Sequence, residues 1–374
     1  SSFDASAPGP TPPPSPAMVE QKAAVAMMDV PEEEVARVCA AFGYRMTSCS
    51  LLTGGYASCN FAVQLEREGV AGFKAVVKYG NAQLPREDID HQVTVLTRLA
   101  ETTFPTALLY PRLDGDYSGT DRYVVEAAAG GPPQALLMRF VDGVAGDKVL
   151  GEAGAEAERR VLAQLAGALG QLHLVTWEGV ELRTIAKGYP VCNTGELLRE
   201  GEVEKQDLDR LPAHEFSTYL RERLPRFRAI FADGGLPTGF IHGDGFLDNT
   251  LYTPGGELVA LVDWEDSCVA PYALDVAVCV SATCFTAENE LMVPRCKAVL
   301  QGYQEVRKLS SQELDAIPEF MWAAALACGF YRWREFNLTR PDSSDDMKAS
   351  YKIMMTRCQA LERSPPQVEE WVSR

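Results

Sequence analysis

Three oxygen-bearing side chains set the chemistry that this chain could perform. Ile241-His242-Gly243-Asp244-Gly245-Phe246-Leu247-Asp248-Asn249 has the skeleton H-G-D-x-x-x-x-N, and Leu261-Val262-Asp263-Trp264-Glu265 follows it. Asn249 stands five positions after Asp244, and Asp263 nineteen. Phosphoryl transfer asks for such a set: one carboxylate to take the proton of an attacking hydroxyl, and an amide oxygen with a second carboxylate to hold Mg2+ against nucleotide phosphates. Asp244 is the candidate base, and Asn249 and Asp263 the candidate metal ligands. A polar turn with a satisfied buried Asp would explain His-Gly-Asp alone. It does not explain the spaced Asn, the second Asp, or the apolar run Leu258–Val262 that would fix Asp263 at the end of a buried strand. His242 reads as support for the loop and Asp248 as a turn cap.

The earlier part of the chain supplies matching pieces. Gly54-Gly55-Tyr56-Ala57-Ser58 lies between two expected strands, where glycines let backbone N–H groups approach phosphate oxygens. Gly54, Gly55 and Ser58 are therefore candidate phosphate contacts. Lys78 ends the run Ala75-Val76-Val77 and is the candidate partner of the α- and β-phosphates. Its own carboxylate partner is expected on the next helix, where Glu87, Asp88 and Asp90 are available; Asp88, on the turn before the apolar stripe, is favoured.

The elements that must position these groups follow from pattern. Pro31–Gly43 reads as a helix with Pro at its first position, acids in its first turn and Gly at its end. Strands are expected at Ser48–Thr53, Asn60–Leu65, Phe73–Tyr79, Tyr123–Ala127 and Gln134–Val141. Arg86–Leu99 has apolar residues at Ile89, Val93, Leu96 and Leu99, the spacing of a helix with one buried stripe. Beyond Gly143 the pattern turns helical: Ala155–His173, Phe216–Phe231 with a bend at Pro225, Leu274–Phe285, Val293–Tyr303, Ser311–Phe336 and Ser344–Leu361. Short strands within Phe240–Asp263 flank the catalytic loop. The fold class is α+β, with two lobes: a small antiparallel sheet lobe over residues 18–141 and a larger, mainly helical lobe over 142–374. Residues 1–17, rich in Pro and Ser, read as a disordered tail.

Composition excludes several classes. The chain has 374 residues, 46% of them apolar, and a net charge of −17, which disfavours a nucleic-acid partner. Its ten cysteines are scattered singly, as free thiols in a reducing compartment would be. No apolar stretch is long enough to span a bilayer. A cytoplasmic location is expected, or an organellar one if a targeting segment has been removed, with a monomer or homodimer as the assembly.

The pattern resembles the kinase-like fold of the aminoglycoside phosphotransferase and choline kinase superfamily, and within it type II homoserine kinases, over about residues 45–362. Gly55-Tyr56-Ala57-Ser58-Cys59-Asn60-Phe61 resembles the family's phosphate loop, including its Asn. Ala135–Gly143 resembles its hinge strand, and Leu169–Leu174 the helix that follows. Asp263 through Pro271 to Asp275–Val280 is similar to its stretch from metal Asp to downstream Asp. Gly302–Ser310 with Glu313 is similar to its "GY-x-x-VR-x-L" segment, and Tyr331-Arg332 and Leu338–Pro341 continue in register. The resemblance implies ATP and Mg2+ as cofactors and a small hydroxyl-bearing substrate. It implies that Asn60 joins the nucleotide site, that Leu137, Met138 and Phe140 receive adenine through main-chain groups, and that Asp275 braces the catalytic loop or binds substrate.

Departures from the family pattern fall where the acceptor should bind: Val269-Ala270 before Pro271, Ser281-Ala282-Thr283 after Val280, and Ala327 where an Arg is expected. Homoserine is the first expected acceptor. Choline, ethanolamine, hydroxylysine, a sugar or an antibiotic are alternatives, and a catalytically dead pseudokinase is a third reading that the intact Lys, Asp, Asn and Asp argue against. For an amino-acid acceptor, Glu265 or Asp266 would meet the ammonium and Arg332 or Arg139 the carboxylate, with Trp264 beside them.

Overall fold

A computed structural model describes residues 30–52, 59–80, 85–113, 115–126, 134–152, 154–188, 193–232 and 234–372. The Pro/Ser-rich tail and the Gly54–Ser58 turn, with Gly54, Gly55 and Ser58, lie outside the described residues. Helix α1 (Glu32–Ala41) starts after Pro31 and ends ahead of Gly43. A five-stranded antiparallel sheet follows, built from β1 (Arg45–Leu52), β2 (Cys59–Arg67), β3 (Val70–Tyr79), β4 (Val124–Glu126) and β5 (Gln134–Arg139) in the order β1-β2-β3-β5-β4. Helix α2 (Arg86–Leu99) is inserted after β3, and its expected stripe of Ile89, Val93, Leu96 and Leu99 is buried.

Alternation along the strands divides the sheet into two faces. Ala75, Val77, Tyr79, Ala135 and Leu137 point outward and pack with Val35 and Val38 of α1 and with Phe42 just beyond it. Val76, Leu136 and Met138 point the other way, into a cluster that contains the α2 stripe. That second cluster does not stop at the sheet. It runs without a break through Leu165 and Leu169 to Val276, Val280 and Phe330 in the helical part of the chain.

The helical lobe is built on α3 (Ala155–His173), α4 (Glu215–Ala232), α5 (Tyr272–Thr283), α6 (Val293–Val306), α7 (Ser311–Arg334) and α8 (Tyr351–Arg363). Pro225 lies within α4, which continues through it. Two small sheets sit between these helices. In one, β7 (Thr238–Ile241) pairs antiparallel with β10 (Cys268–Pro271); in the other, β8 (Thr250–Tyr252) lies between β6 (Val144–Ala145) and β9 (Leu258–Leu261). The catalytic-loop sequence spans the gap from β7 to β8, and Asp263 follows β9. No described helix is long and apolar enough to cross a membrane.

Helix α2 is moored to the helical lobe by polar contacts as well. His91 Nε2 donates to the Ser267 carbonyl at 2.8 Å, and Asp88 pairs with Arg183. Burial, followed by the nearby Arg183 charge, pushes the His91 pKa from 6.5 down to about 4. The unfolded chain therefore takes up this proton at a higher pH than the fold does. Stability should fall as pH drops from about 6.5 to about 4, by on the order of 3 kcal/mol from this one group. His91→Gln should flatten that limb of a Tm-against-pH curve; an unchanged slope would contradict the assignment.

Candidate active site

The catalytic loop is held from below by one carboxylate. Asp275, fully buried in the first turns of α5, accepts the backbone N–H of His242 at 3.0 Å and of Gly243 at 2.9 Å. His173, at the end of α3, donates from Nε2 to the same carboxylate at 2.9 Å, and its Nδ1 accepts the Tyr303 hydroxyl at 2.6 Å. Arg307 donates to the Tyr303 oxygen and to Glu313, which in turn closes a capping box with Ser310 at the start of α7. Burial keeps His173 neutral by lowering its pKa. It acts most strongly against the Asp275 charge, but the His173 hydrogen bond, the nearby His242 and the Gly243 N–H together hold the Asp275 carboxyl below the usual range.

Above this base the loop turns at Gly243, whose φ of +81° lies in the region that favours glycine. The buried His242 ring donates from Nε2 to the Val262 carbonyl at 3.1 Å and accepts the Asp244 N–H on Nδ1 at 3.3 Å. It is a strut, as expected. Asn249 Nδ2 donates to Asp244 Oδ2 at 2.7 Å and to the Asp244 carbonyl at 3.0 Å, so carboxylate and amide face one another. Val262 N–H donates to the Asn249 carbonyl at 2.9 Å, which brings Asp263 alongside. Asp263 has a φ of +68°, a left-handed backbone that costs a non-glycine residue on the order of 1–3 kcal/mol and is retained chiefly at functional positions. Its Oδ1 meets Lys78 Nζ at 3.0 Å, joining the two lobes. Burial opposes the Asp263 charge, but Lys78 holds its carboxyl below the ordinary value.

Asp244, Asn249, Asp263 and Lys78 are thus gathered in one place. Asn60 is the cross-strand neighbour of Lys78 in the β2–β3 ladder. Met138 and Phe140 follow the register that faces Lys78, and Lys74 Nζ lies 5.2 Å over the Phe140 ring. The expected partner of Lys78 needs correction. Its second carboxylate is Glu265, with Oε1 at 2.9 Å, whereas Asp88 is paired with Arg183. The adenine assignment needs correction too. Leu137 points into the α1 cluster and its carbonyl accepts the Tyr110 N–H, while Met138 is paired with Val76. Main-chain groups for a base are therefore to be sought from Phe140 onward. Trp264 is a core residue, not a substrate contact: it is 1% exposed, its Nε1 donates to Thr106 Oγ1 at 3.0 Å, and its ring meets Phe104, Phe240 and His242. Glu265, engaged with Lys78, is likewise removed from the acceptor side.

Tyr331 and Arg332 lie near the end of α7. Tyr331 lies within the electrostatic reach of Asp266 and Arg340, and Arg332 within that of Arg357. Arg357 escaped the sequence reading, since nothing in its local pattern sets it apart. Its guanidinium, pushed down to about 10 by burial, donates to Asn289 Oδ1 and the Ser281 carbonyl and lies against Phe285. Asp147 was missed as well. Its Oδ1 is buried without a hydrogen-bond partner among the described residues, close to Asp248, whose pKa burial and this neighbour raise to about 6. Gly146 lets this segment touch the catalytic loop: a Cβ there would stand 2.3 Å from Thr250 Oγ1 and 2.8 Å from the Leu247 carbonyl.

The donor set suits a hard divalent cation. Asn249 offers its amide oxygen and Asp263 a carboxylate, and no group of three or more His, Cys, Asp or Glu residues that could hold a metal occurs among the described residues. Two protein ligands completed by phosphates and water are the ordinary arrangement for Mg2+. A small sheet lobe bearing a lysine, joined to a helical lobe bearing Asp, Asn and Asp, defines a protein-kinase-like phosphotransferase. Residues 48–309 match the model of the Phosphotransferase enzyme family, and the chain belongs to that family. It is an enzyme that transfers a phosphoryl group to an alcohol. It is 27% identical to a homoserine kinase of Agrobacterium fabrum over 75% of this chain and 78% of that protein, and 26% identical to one of Sinorhizobium medicae over 84% and 87%. Among solved structures it is similar to an amicoumacin kinase in complex with AMP-PNP, Ca2+ and Ami (TM-score 0.60, 15% identity, 95% and 96% coverage). It is also similar to a Plasmodium vivax ethanolamine kinase (TM-score 0.56, 14% identity, 85% and 84% coverage). These likenesses establish the bilobal fold.

Proposed function

We propose that the chain is a Mg2+-ATP-dependent kinase of a small hydroxy amino acid, homoserine in the first instance, forming O-phosphohomoserine for threonine biosynthesis. The observation that carries the chemistry is the Asp244–Asn249 hydrogen bond beside the Asp263–Lys78 ion pair. Asp244 orients the acceptor hydroxyl and takes its proton as the oxygen attacks the γ-phosphorus, the bond from that phosphorus to the β,γ-bridging oxygen breaks, and ADP leaves. Lys78 neutralises phosphate charge. Asn249 and Asp263 would hold Mg2+, which supplies charge neutralisation across the phosphates when bound. Asp266 would meet an ammonium, and Arg332, with Arg357 near it, a carboxylate. Homoserine is favoured because the homoserine kinases align with most of the chain.

A coupled ADP-release assay tests this with homoserine, choline, ethanolamine, hydroxylysine and an aminoglycoside as acceptors. Homoserine should give the highest kcat/KM, with a phosphomonoester at its side-chain oxygen by 31P NMR. Turnover confined to a compound without a carboxylate would overturn the substrate assignment and leave the phosphotransferase intact.

A further inference from the structure

We propose that Glu265, not a carboxylate of α2, is the residue that positions Lys78 for the nucleotide. Three observations carry this. The first is that Lys78 Nζ lies 2.9 Å from Glu265 Oε1, and both side chains are largely buried, 9% and 16% exposed. The second is that Asp88, the acid on α2 expected to do this work, is committed elsewhere. It pairs with Arg183, and that pair is 12% and 17% exposed. Arg183 is itself fixed, because its carbonyl accepts the Val269 N–H at 2.8 Å and Thr184 bridges Val269. With His91 on the Ser267 carbonyl one turn along, α2 is tied to residues 183–184 and 267–269 at two points. Drawing Asp88 toward Lys78 would break a buried pair and strand a guanidinium.

The third observation is how Glu265 reaches the lysine. The buried Trp264 indole anchors the segment, and the Glu265 N–H is a hydrogen-bond donor to the Asp263 carboxylate. The turn so formed presents the carboxylates at positions 263 and 265 to one ammonium. Lys78 therefore has two acids, and they do not have equal duties. Asp263 is the residue that a metal would engage, on the kinase reading above on which this inference rests. With Asp263 so engaged, Glu265 is the carboxylate that keeps Lys78 aimed into the cleft. The lysine's anchor thus lies at the strand exit that carries the candidate metal ligand, not on a helix of the sheet lobe, and the acid on α2 serves with Arg183 to hold that helix.

The test measures Mg-ATP affinity by isothermal titration calorimetry, with melting temperature and KM for ATP, on the full chain. Glu265→Gln should weaken Mg-ATP binding about tenfold and raise KM for ATP in step, the loss of one charge-assisted contact at a buried cation. Glu265→Asp, which restores the charge, should recover most of that affinity. Asp88→Asn and Arg183→Gln should lower the melting temperature and leave Mg-ATP affinity within about threefold of the parent. The proposal is overturned if Glu265→Gln and Glu265→Asp bind as the parent does, or if Asp88→Asn produces the larger loss. A parent chain that bound no Mg-ATP would overturn the nucleotide reading along with it, a result distinct from either of these. Should Glu265→Gln fail to fold, Asp88→Asn decides the question: a loss of Mg-ATP affinity beyond about threefold overturns the proposal, and an affinity within it supports it.

Discussion

Asp244→Asn should lose roughly 10²–10⁴ in kcat while still binding Mg-ATP. The substitution is chosen because it spares the scaffold. Asn249 Nδ2 donates to Asp244 Oδ2 at 2.7 Å, and a side-chain amide oxygen at position 244 can accept the same bond. The loop's other supports, the His242 ring and the Asp275 carboxylate, do not involve the Asp244 side chain. What an amide cannot do is accept the proton of the attacking hydroxyl. Melting temperature and nucleotide affinity should therefore stay near the parent's while single-turnover phosphoryl transfer collapses. A variant that keeps more than about 10% of kcat would remove Asp244 from the role of base.

Asp275→Ala should be among the most destabilising single substitutions in the chain. Its carboxylate collects the His242 and Gly243 N–H groups and the His173 Nε2 donor in a site with no exposure. Removing it leaves three buried donors without an acceptor, and breaking such a buried pair costs on the order of 3–5 kcal/mol. At about 2.1 cal/mol/K of unfolding entropy per residue, a protein of this size loses about 1.3 °C in Tm per kcal/mol, so a fall of roughly 4–6 °C is expected in thermal unfolding. The catalytic loop loses its floor at the same time, so kcat should fall even in the fraction that folds. The sign with pH is fixed by the depressed carboxyl: its contribution is fully present above the ordinary Asp value of 3.8 and fades only as pH falls through the lower value of the folded state. A neutral-pH Tm within about 2 °C of the parent would contradict the brace.

The order of elements was legible in the sequence because each one carries its period and its punctuation. The α2 stripe of Ile89, Val93, Leu96 and Leu99 is buried, and the strand that delivers Lys78 sits between β2 and β5. The gathering of Asp244, Asn249 and Asp263 was legible for the same reason, since a short loop between two strands leaves few ways to place residues at those spacings. What was not legible depends on contacts far apart in the chain. Nothing local distinguishes Asp88 with Lys78 from Asp88 with Arg183, 95 positions away. Trp264 looked available because it adjoins Asp263, but its indole is turned inward onto Phe104 and Phe240. Leu137 was assigned to adenine on the strength of its strand, and the pleat gives that position to the opposite face.

The cluster shared by α2, the inner face of the sheet and the helical lobe bears on how the chain could be divided. A cut after residue 141 would look natural on a map of the sequence, yet it would sever Ile89, Val93, Leu96 and Leu99 from apolar neighbours on the far side of the break. The excised piece would keep only the pocket between α1 and the outer strand faces to sustain it, and would present the torn surface to water. The sheet lobe is therefore a dependent partner in assembly, with its last layer of side chains completed by sequence that comes after it.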